Sequence, residues 1–566
     1  MAVSRLKSTA ARRDGSSRRE FVKRSGGVAL ALSAGPLLNA CGGSDSDDNP
    51  AAPQAPIGSF QHGVASGDPL SDRVILWTRV TPAAAGSIVV DCVVASDASM
   101  ANIVTRTAAT TDSARDYTVN IDVGGLQPNN TYYYRFEVAG AQSPVGRTRT
   151  LPVGTASRLR MAVVSCASLA HGFFNAYRRI AERADLDVVV HLGDYIYEYG
   201  NNEFGSLRTY EPAVETVTLG DYRARHAQYK RDTDLQEMHR QHPMIAIWDD
   251  HEVADNAHAT GALNHTEGAE GTWTARVAAA LQAYYEWMPV RRVDAVDRRR
   301  NNRSFSYGNL VDLVMLEERL AARSPQVQTI TGTSGVFAQS GEFADPSRQM
   351  LGSAQEDWLS TRLRMSTARW KIVGQGVMLA QLKVEPARNA DGGGLFINSD
   401  QWDGYQPARD RLYEVLKGSA SSPPVDNVVV LTGDVHSSWA ADLSQDPNNP
   451  DTATGGYNPA TGVGSRAVEF ITPSVTSPAI IDRGVTKDVV MSINPHFKYV
   501  ELTRRGYMLL DVDATRVVGE WWYVDTIESR SSGQVFGAAF QVQNAAQRLT
   551  PASQTSPRAD APTLAP

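Results

Sequence analysis

Cysteine is scarce: the chain has three in 566 residues, at positions 41, 92 and 166, and no Cys-x-x-Cys pair. So few thiols in so long a chain exclude a disulfide-built scaffold and a thiolate-type structural zinc site, and each cysteine needs its own explanation. Long apolar runs are missing too. The stretch from Gly26 to Ala40 contains Ser33 and Pro36 and falls short of the roughly 18 to 20 apolar residues that a membrane-spanning helix requires. There is no basic excess. The formal charge is −7, and without residues 1–40, which hold eight Lys/Arg and two Asp/Glu, it becomes −13. Such acidity argues against a nucleic-acid groove held by phosphate contacts.

What is present begins with "SRREFVKRSGGVALALSAGPLLNAC", where Arg18 and Arg19 precede a short apolar run ending at Cys41. Residues 1–41 read as a targeting segment, not structure. The arginine pair resembles a twin-arginine export signal, and "LLNAC" resembles a lipoprotein processing box that would leave a lipidated Cys41. The alternative is an ordinary cleaved signal with Cys41 incidental. The expected partner is the twin-arginine export machinery and the expected location periplasmic or cell-surface. Residues 42–57, small, acidic and Pro-rich, are expected to be a flexible tether.

Residues 58–155 alternate apolar and polar in segments such as "VILWTRV" and "SIVVDCVVA", with turn signals between them, which predicts an immunoglobulin-sized β-sandwich. "LQPNNTYYYRF" predicts a tyrosine corner at Tyr132, and Cys92 reads as a small buried hydrophobe. From 156 to 545 short apolar strands alternate with helices and long loops, the pattern of a layered α/β catalytic domain. Residues 546–566 are expected to be a flexible tail.

Four of the predicted strands end in polar residues: Ser165-Cys166, Gly193-Asp194, Asp249-Asp250-His251 and Gly433-Asp434-Val435-His436. Ligand sites of open α/β sheets lie outside strand carboxyl ends, so four such endings point to one site. Together they offer a thiolate, a phenolate at Tyr197, carboxylates and imidazoles. Anionic S and O donors suit a high-charge cation, and a carboxylate set suits a hard divalent ion such as calcium, magnesium or manganese. Asp194 would bridge the two, with the three-residue turn bringing Tyr197 to the first. Asp250 reads as a ligand and His251 as an acid or base. Asp249 and Glu252 would orient His251 or satisfy local backbone, and the second role is preferred. Gln375 is either a further polar contact or a strand-end residue bonded to a loop. Arg223, Arg225 and Arg409 could clamp a second charge but read first as paired or solvated.

These motifs resemble the PhoD-type alkaline phosphatases of the calcineurin-like metallophosphoesterase superfamily. The matching stretches are "FQHGVASGDPLSDRVILWTRV", "LGDYIYEYG", "TLGDYRARHAQYKRDTDLQEMHRQHPMIAIWDDHEVADN", "QWDGYQPARDRL" and "LTGDVHSSWAADL", from about residue 58 to past 440. The resemblance implies a β-sandwich followed by a two-sheet α/β/β/α layered domain with one ferric ion, Fe(III), and calcium, Ca(II). Carried over by position, Cys166, Asp194, Tyr197 and His436 would hold iron, Asp194, Asp250 and Asp434 would face calcium, and His251 takes the place of the proton-donating histidine. The chain departs from the family at Asp255, where Asn is usual. The expected function is an exported alkaline phosphatase, hydrolysing phosphomonoesters, phosphodiesters or both by metal-activated hydroxide attack. A phosphodiesterase or phospholipid-cleaving hydrolase on the same scaffold, and a surface-anchored binding protein with a structural metal centre, are the alternatives.

Overall fold

The central strands are written in β-branched residues. Val188–Leu192 is VVVHL and Val428–Thr432 is VVVLT, and both are buried throughout, as parallel strands covered on both faces are. The computed structural model describes residues 57–566 apart from 331, 333–334, 390–392 and 480–485. The expectations for residues 1–41, and for the tether as far as residue 56, therefore lie outside the described residues.

Two large sheets dominate. In a ten-stranded sheet Arg158–Val164, Val188–Leu192 and Pro243–Ile247 run parallel side by side. In a seven-stranded sheet Val311–Met315, Trp370–Gln375, Val428–Thr432 and Ala467–Ile471 do the same. Alternate side chains of each strand leave on opposite faces. Met161, Val163, Val190 and Ile247 of the first sheet share a buried core with Leu313, Ile372, Leu431 and Phe470 of the second. On its other face the first sheet packs Ala162, Val164, Val189 and Ala246 against helices Asn175–Ala181, Leu219–Lys230, Thr233–Gln241 and Trp273–Trp287. The second packs Val314, Val373 and Val430 against Ser353–Met365 and Gln406–Lys417. No helix among the described residues is long and apolar enough to cross a membrane.

The N-terminal strands do not stand apart from this arrangement. Val64–Gly67 pairs in parallel with Pro243–Ile247, with Ser66 opposite Pro243, and Arg73–Arg79 and Thr118–Gly124 continue the same ten-stranded sheet. Ile88–Ala95, Ile103–Thr111, Thr131–Val138 and Gly146–Arg149 belong to a separate five-stranded sheet. Val64, Leu76 and Val119 share a core with Val90, Cys92, Tyr134 and Phe136 across the two. The buried Tyr132 hydroxyl accepts a 2.8 Å hydrogen bond from the Gln127 backbone, as a tyrosine corner requires.

The flexible tail expected from 546 is corrected by the structure. Leu549–Pro551 pairs with Gln534–Gln543, Thr555 bonds Glu520 at 2.6 Å and Arg558 pairs with Asp187 at 2.7 Å. Further on, Tyr133 donates to the Thr563 carbonyl at 2.6 Å, Gln241 holds Ala565 through both its backbone groups, and Ala565 is buried with Val93 and Tyr133.

A fragment beginning at residue 156 would leave Pro243–Ile247 as an open, fully apolar sheet edge, a template for association between copies. Such a fragment is expected to elute as aggregate in gel filtration. A monodisperse fragment with a cooperative melt would show that the sheet does not need its N-terminal strands.

Candidate metal centre

Carboxyl ends of parallel strands converge, within the first sheet at Gly193 and across the two sheets at Gly433, because two glycines allow close approach. Gly193 has φ +99°, and a Cβ there would fall on the Cβ and amide nitrogen of Asp249; at Gly433 one would lie 2.9 Å from Ser165 Cβ. Immediately beyond, the chain turns sharply: Cys166, Asp194, Asp434 and His436 all have left-handed backbone, with φ of 59°, 54°, 53° and 56°. Non-glycine residues hold that conformation when the surroundings over-determine it, and such positions cluster at functional sites.

The turns bring the predicted donors together. Ligand atoms of Cys166, Asp194 and His436 lie within 4.8 Å of one another, as do those of Asp194, Asp250 and His251, and of Asp249, Asp250 and Asp434. Tyr197 joins the first group, its hydroxyl 3.1 Å from Asp194 Oδ2 and 3.2 Å from His436 Nε2. All seven site residues expected from the sequence, Cys166, Asp194, Tyr197, Asp250, His251, Asp434 and His436, therefore meet in one place. Asp194 belongs to two of the groups.

Three buried carboxylate oxygens in this cluster, Asp194 Oδ1, Asp249 Oδ2 and Asp250 Oδ1, have no hydrogen-bond partner among the described residues. Leaving a buried charged acceptor unsatisfied costs about 1–3 kcal/mol or more each, so the donor set fits cations. Burial pushes the Cys166 thiol, the Asp194 carboxyl and the Tyr197 phenol well above their usual ranges. It also pushes Asp434 up to about 6 and Asp249 up to about 8. A bound cation acts the other way and favours the deprotonated donor.

Several residues that hold the site were not read from the sequence. Arg319 follows the Val311–Met315 strand and is fully buried; its guanidinium pairs with Asp249, reaches Asp400 at 2.8 Å and Asp434 at 3.2 Å, and lies 3.5 Å from Asp250. The signal was a fifth polar strand ending, "LEERL". Asp400 also takes Arg323 at 2.6 Å, and Gln401 donates to Asp434 at 2.5 Å. Ser477 Oγ lies 2.6 Å from the Tyr197 hydroxyl and 2.9 Å from the Cys166 carbonyl.

Around His251 one expectation changes. Its Nδ1 meets Glu198 Oε2 at 2.7 Å, so Glu198, and neither Asp249 nor Glu252, orients the ring. The ring stacks on Tyr197 with centroids 4.2 Å apart. Burial acts to lower its pKa, but Glu198, Asp250 and Asp194 outweigh this and raise it well above the ordinary value. Glu252 instead accepts the backbone N–H groups of Asp194, Tyr195 and Asp249 at 2.7–3.1 Å, which is the preferred local-backbone role. Asp255 takes its own local contact, its backbone N–H donating to Glu198 at 2.7 Å.

The remaining candidates are structural. Gln375 donates to the Val377 carbonyl at 2.7 Å, the loop-bonded alternative. Arg223 pairs with Glu286, Arg409 with Asp403, and the buried Arg225 holds the backbone carbonyls of Tyr197 and Tyr199. A cleft of about 440 Å³ opens onto Asp250, His251, Asp434 and His436.

Comparison with known proteins agrees with this geometry. A family model described as PhoD-like phosphatase matches residues 161–521, and one described as PhoD-like phosphatase, N-terminal domain, matches 46–152. Alkaline phosphatase D of Bacillus subtilis (strain 168) is 36% identical over 523 residues, 89% of this chain and 84% of that one. The solved structure of PhoD superposes with a TM-score of 0.78 at 34% identity, covering 90% of this chain and 95% of that one. The chain is a phosphoester hydrolase. It belongs to the PhoD-like phosphatase family.

Gly193→Ala should strain a left-handed turn and push Asp249 away. A stability loss of about 2 kcal/mol is expected, read by chemical denaturation. Unchanged stability would mean that the two strand ends tolerate separation.

Proposed function

We propose that the chain is an exported alkaline phosphatase acting at a binuclear iron and calcium site. Its fold would be the two-sheet α/β/β/α layered domain of metallophosphoesterases, residues 156–545, behind an N-terminal β-sandwich of residues 58–155. The observation that carries the reading is the convergence of Asp194, Asp249 and Asp250, each with a buried carboxylate oxygen that has no hydrogen-bond partner among the described residues, beside the thiol, phenol and imidazole of Cys166, Tyr197 and His436. Cys166, Asp194, Tyr197 and His436 would hold the ferric ion. Asp194 would be shared with calcium, which Asp250 and Asp434 face. When bound, the cations would supply neutralisation of phosphoryl charge and a water of lowered pKa.

The chain's own part follows from its geometry. Glu198 fixes the His251 ring through Nδ1 and favours its charged form, while Nε2 makes no hydrogen bond to a described residue. A proton held at Nε2 is then available to the departing alkoxide. Ser477 and the Tyr197–His251 stack keep the phenol in line with Asp194. Export by the twin-arginine route, with a lipid anchor at Cys41, rests on the sequence of residues 1–41.

Elemental analysis of the purified protein is expected to find iron and calcium, and chelation to abolish hydrolysis of chromogenic monoesters and diesters. Asp194→Ala should lose metal together with rate; a variant that keeps both its cations and its turnover would overturn the site. His251→Asn should keep the metals but lower kcat on the order of 10²-fold or more. Wild-type kcat in that variant would remove His251 from the chemistry.

A further inference from the structure

The cleft beside the candidate centre has a lining divided by chemistry. Asp250, His251, Asp434 and His436 form one part, and Leu382, Ile397, Trp439 and Leu502 form another. No lysine or arginine lines it among the described residues. The nearest guanidinium to the carboxylates, Arg319, is taken up by Asp249, Asp400 and Asp434. Leu382 and Ile397 come from two segments tied to each other, the Ile397 N–H donating to the Leu382 carbonyl at 3.3 Å and Lys383 bridging Phe396. Both side chains are partly exposed, and the buried Trp439 and Leu502 belong to the core behind the cleft.

We infer that this apolar wall is a specificity subsite for the organic group of the substrate, and that it selects phosphoesters whose alcohol portion is alkyl or aryl and carries no charge. The inference rests on the hydrolase reading above and deepens it. Three observations favour this occupant. The wall is continuous with the candidate centre, so a phosphoryl group placed there puts its ester substituent within the same cleft. The volume, about 440 Å³, is at the small end of the range for organic ligands, enough for one short chain or ring. A second anionic group would meet Asp255 and Asp400 in the lining with no cationic side chain among the described residues to receive it. Leu382 and Ile397 are the specificity-determining residues, since they present apolar surface to the cleft without being sealed into the core.

The test is a series of straight-chain alkyl phosphates from ethyl to hexyl, with their methyl diesters, assayed on the metal-loaded full chain. Leaving-group chemistry is nearly constant across the series, so chain length reads binding of the organic group. Burial of each methylene can raise kcat/KM by up to about fourfold, and a hexyl-to-ethyl ratio of at least about tenfold is expected. In Leu382→Asn and in Ile397→Asn that ratio should fall several-fold, each protein serving as its own reference. A chain ending in a carboxylate should lose the gain. Hydrolysis with a ratio near one, or an undiminished ratio in both variants, would overturn the subsite while leaving the hydrolase reading intact. No hydrolysis of either series would overturn the hydrolase reading and the subsite with it.

Discussion

Buried negative charge is the constraint on which this structure depends. Asp194, Asp249, Asp250, Asp434 and Asp400 are gathered where the carboxyl ends of two sheets meet, and Arg319 touches four of the five. Removing a carboxylate from water is expensive unless it is paired, and the two guanidinium groups here, Arg319 and Arg323, do not balance five carboxylates. The sheets must therefore be stable enough elsewhere to hold the ends in place. The cores on both faces of each sheet supply that stability, which is why so much apolar surface surrounds so small a polar centre.

The same logic extends one layer outward. Glu252, Glu317, Glu318 and Glu469 are buried acids that spend their lone pairs on backbone N–H groups of the loops after the strands. Glu318 also takes the Trp402 indole and Glu317 the Trp248 indole. The loops after Val188–Leu192 and Trp370–Gln375 are thus fastened by carboxylates from neighbouring elements, and the loop after Val311–Met315 by its own Glu317. Of the left-handed turns, that at Asp194 is held directly by Glu252, and that at Cys166 by a backbone bond to the Gly193 carbonyl.

Much of this was legible in the sequence, for a physical reason. A strand is an apolar run and its end is where polarity returns, so acids and imidazoles just past "VVVHL" or "VVVLT" announce themselves. The charge partners were harder to see. Arg319 and Asp400 are more than eighty residues apart and each reads alone as a surface residue. Glu198 sits beside Tyr197 in plain view, yet its role depends on His251, 53 residues away, folding back against it. Sheet membership was equally hidden: Val64–Gly67 is a short run of small, buried residues, and nothing local reveals that its other edge meets Pro243–Ile247. Pairing partners are chosen by tertiary packing, which local pattern does not encode.

The clasp made by residues 555–565 has a consequence for the order in which the molecule can be assembled. Tyr133, Arg147 and Gln241 are made hundreds of residues before the carbonyls of Thr563, Pro562 and Ala565 that they bind. During synthesis on the ribosome these three wait without those partners, and Arg147 has only the Gln241 and Ala184 carbonyls and His242 to hold the five-stranded sheet to the rest. Domains tend to fold from the N-terminus as they emerge. Here an earlier-made part is fastened by a segment made hundreds of residues later.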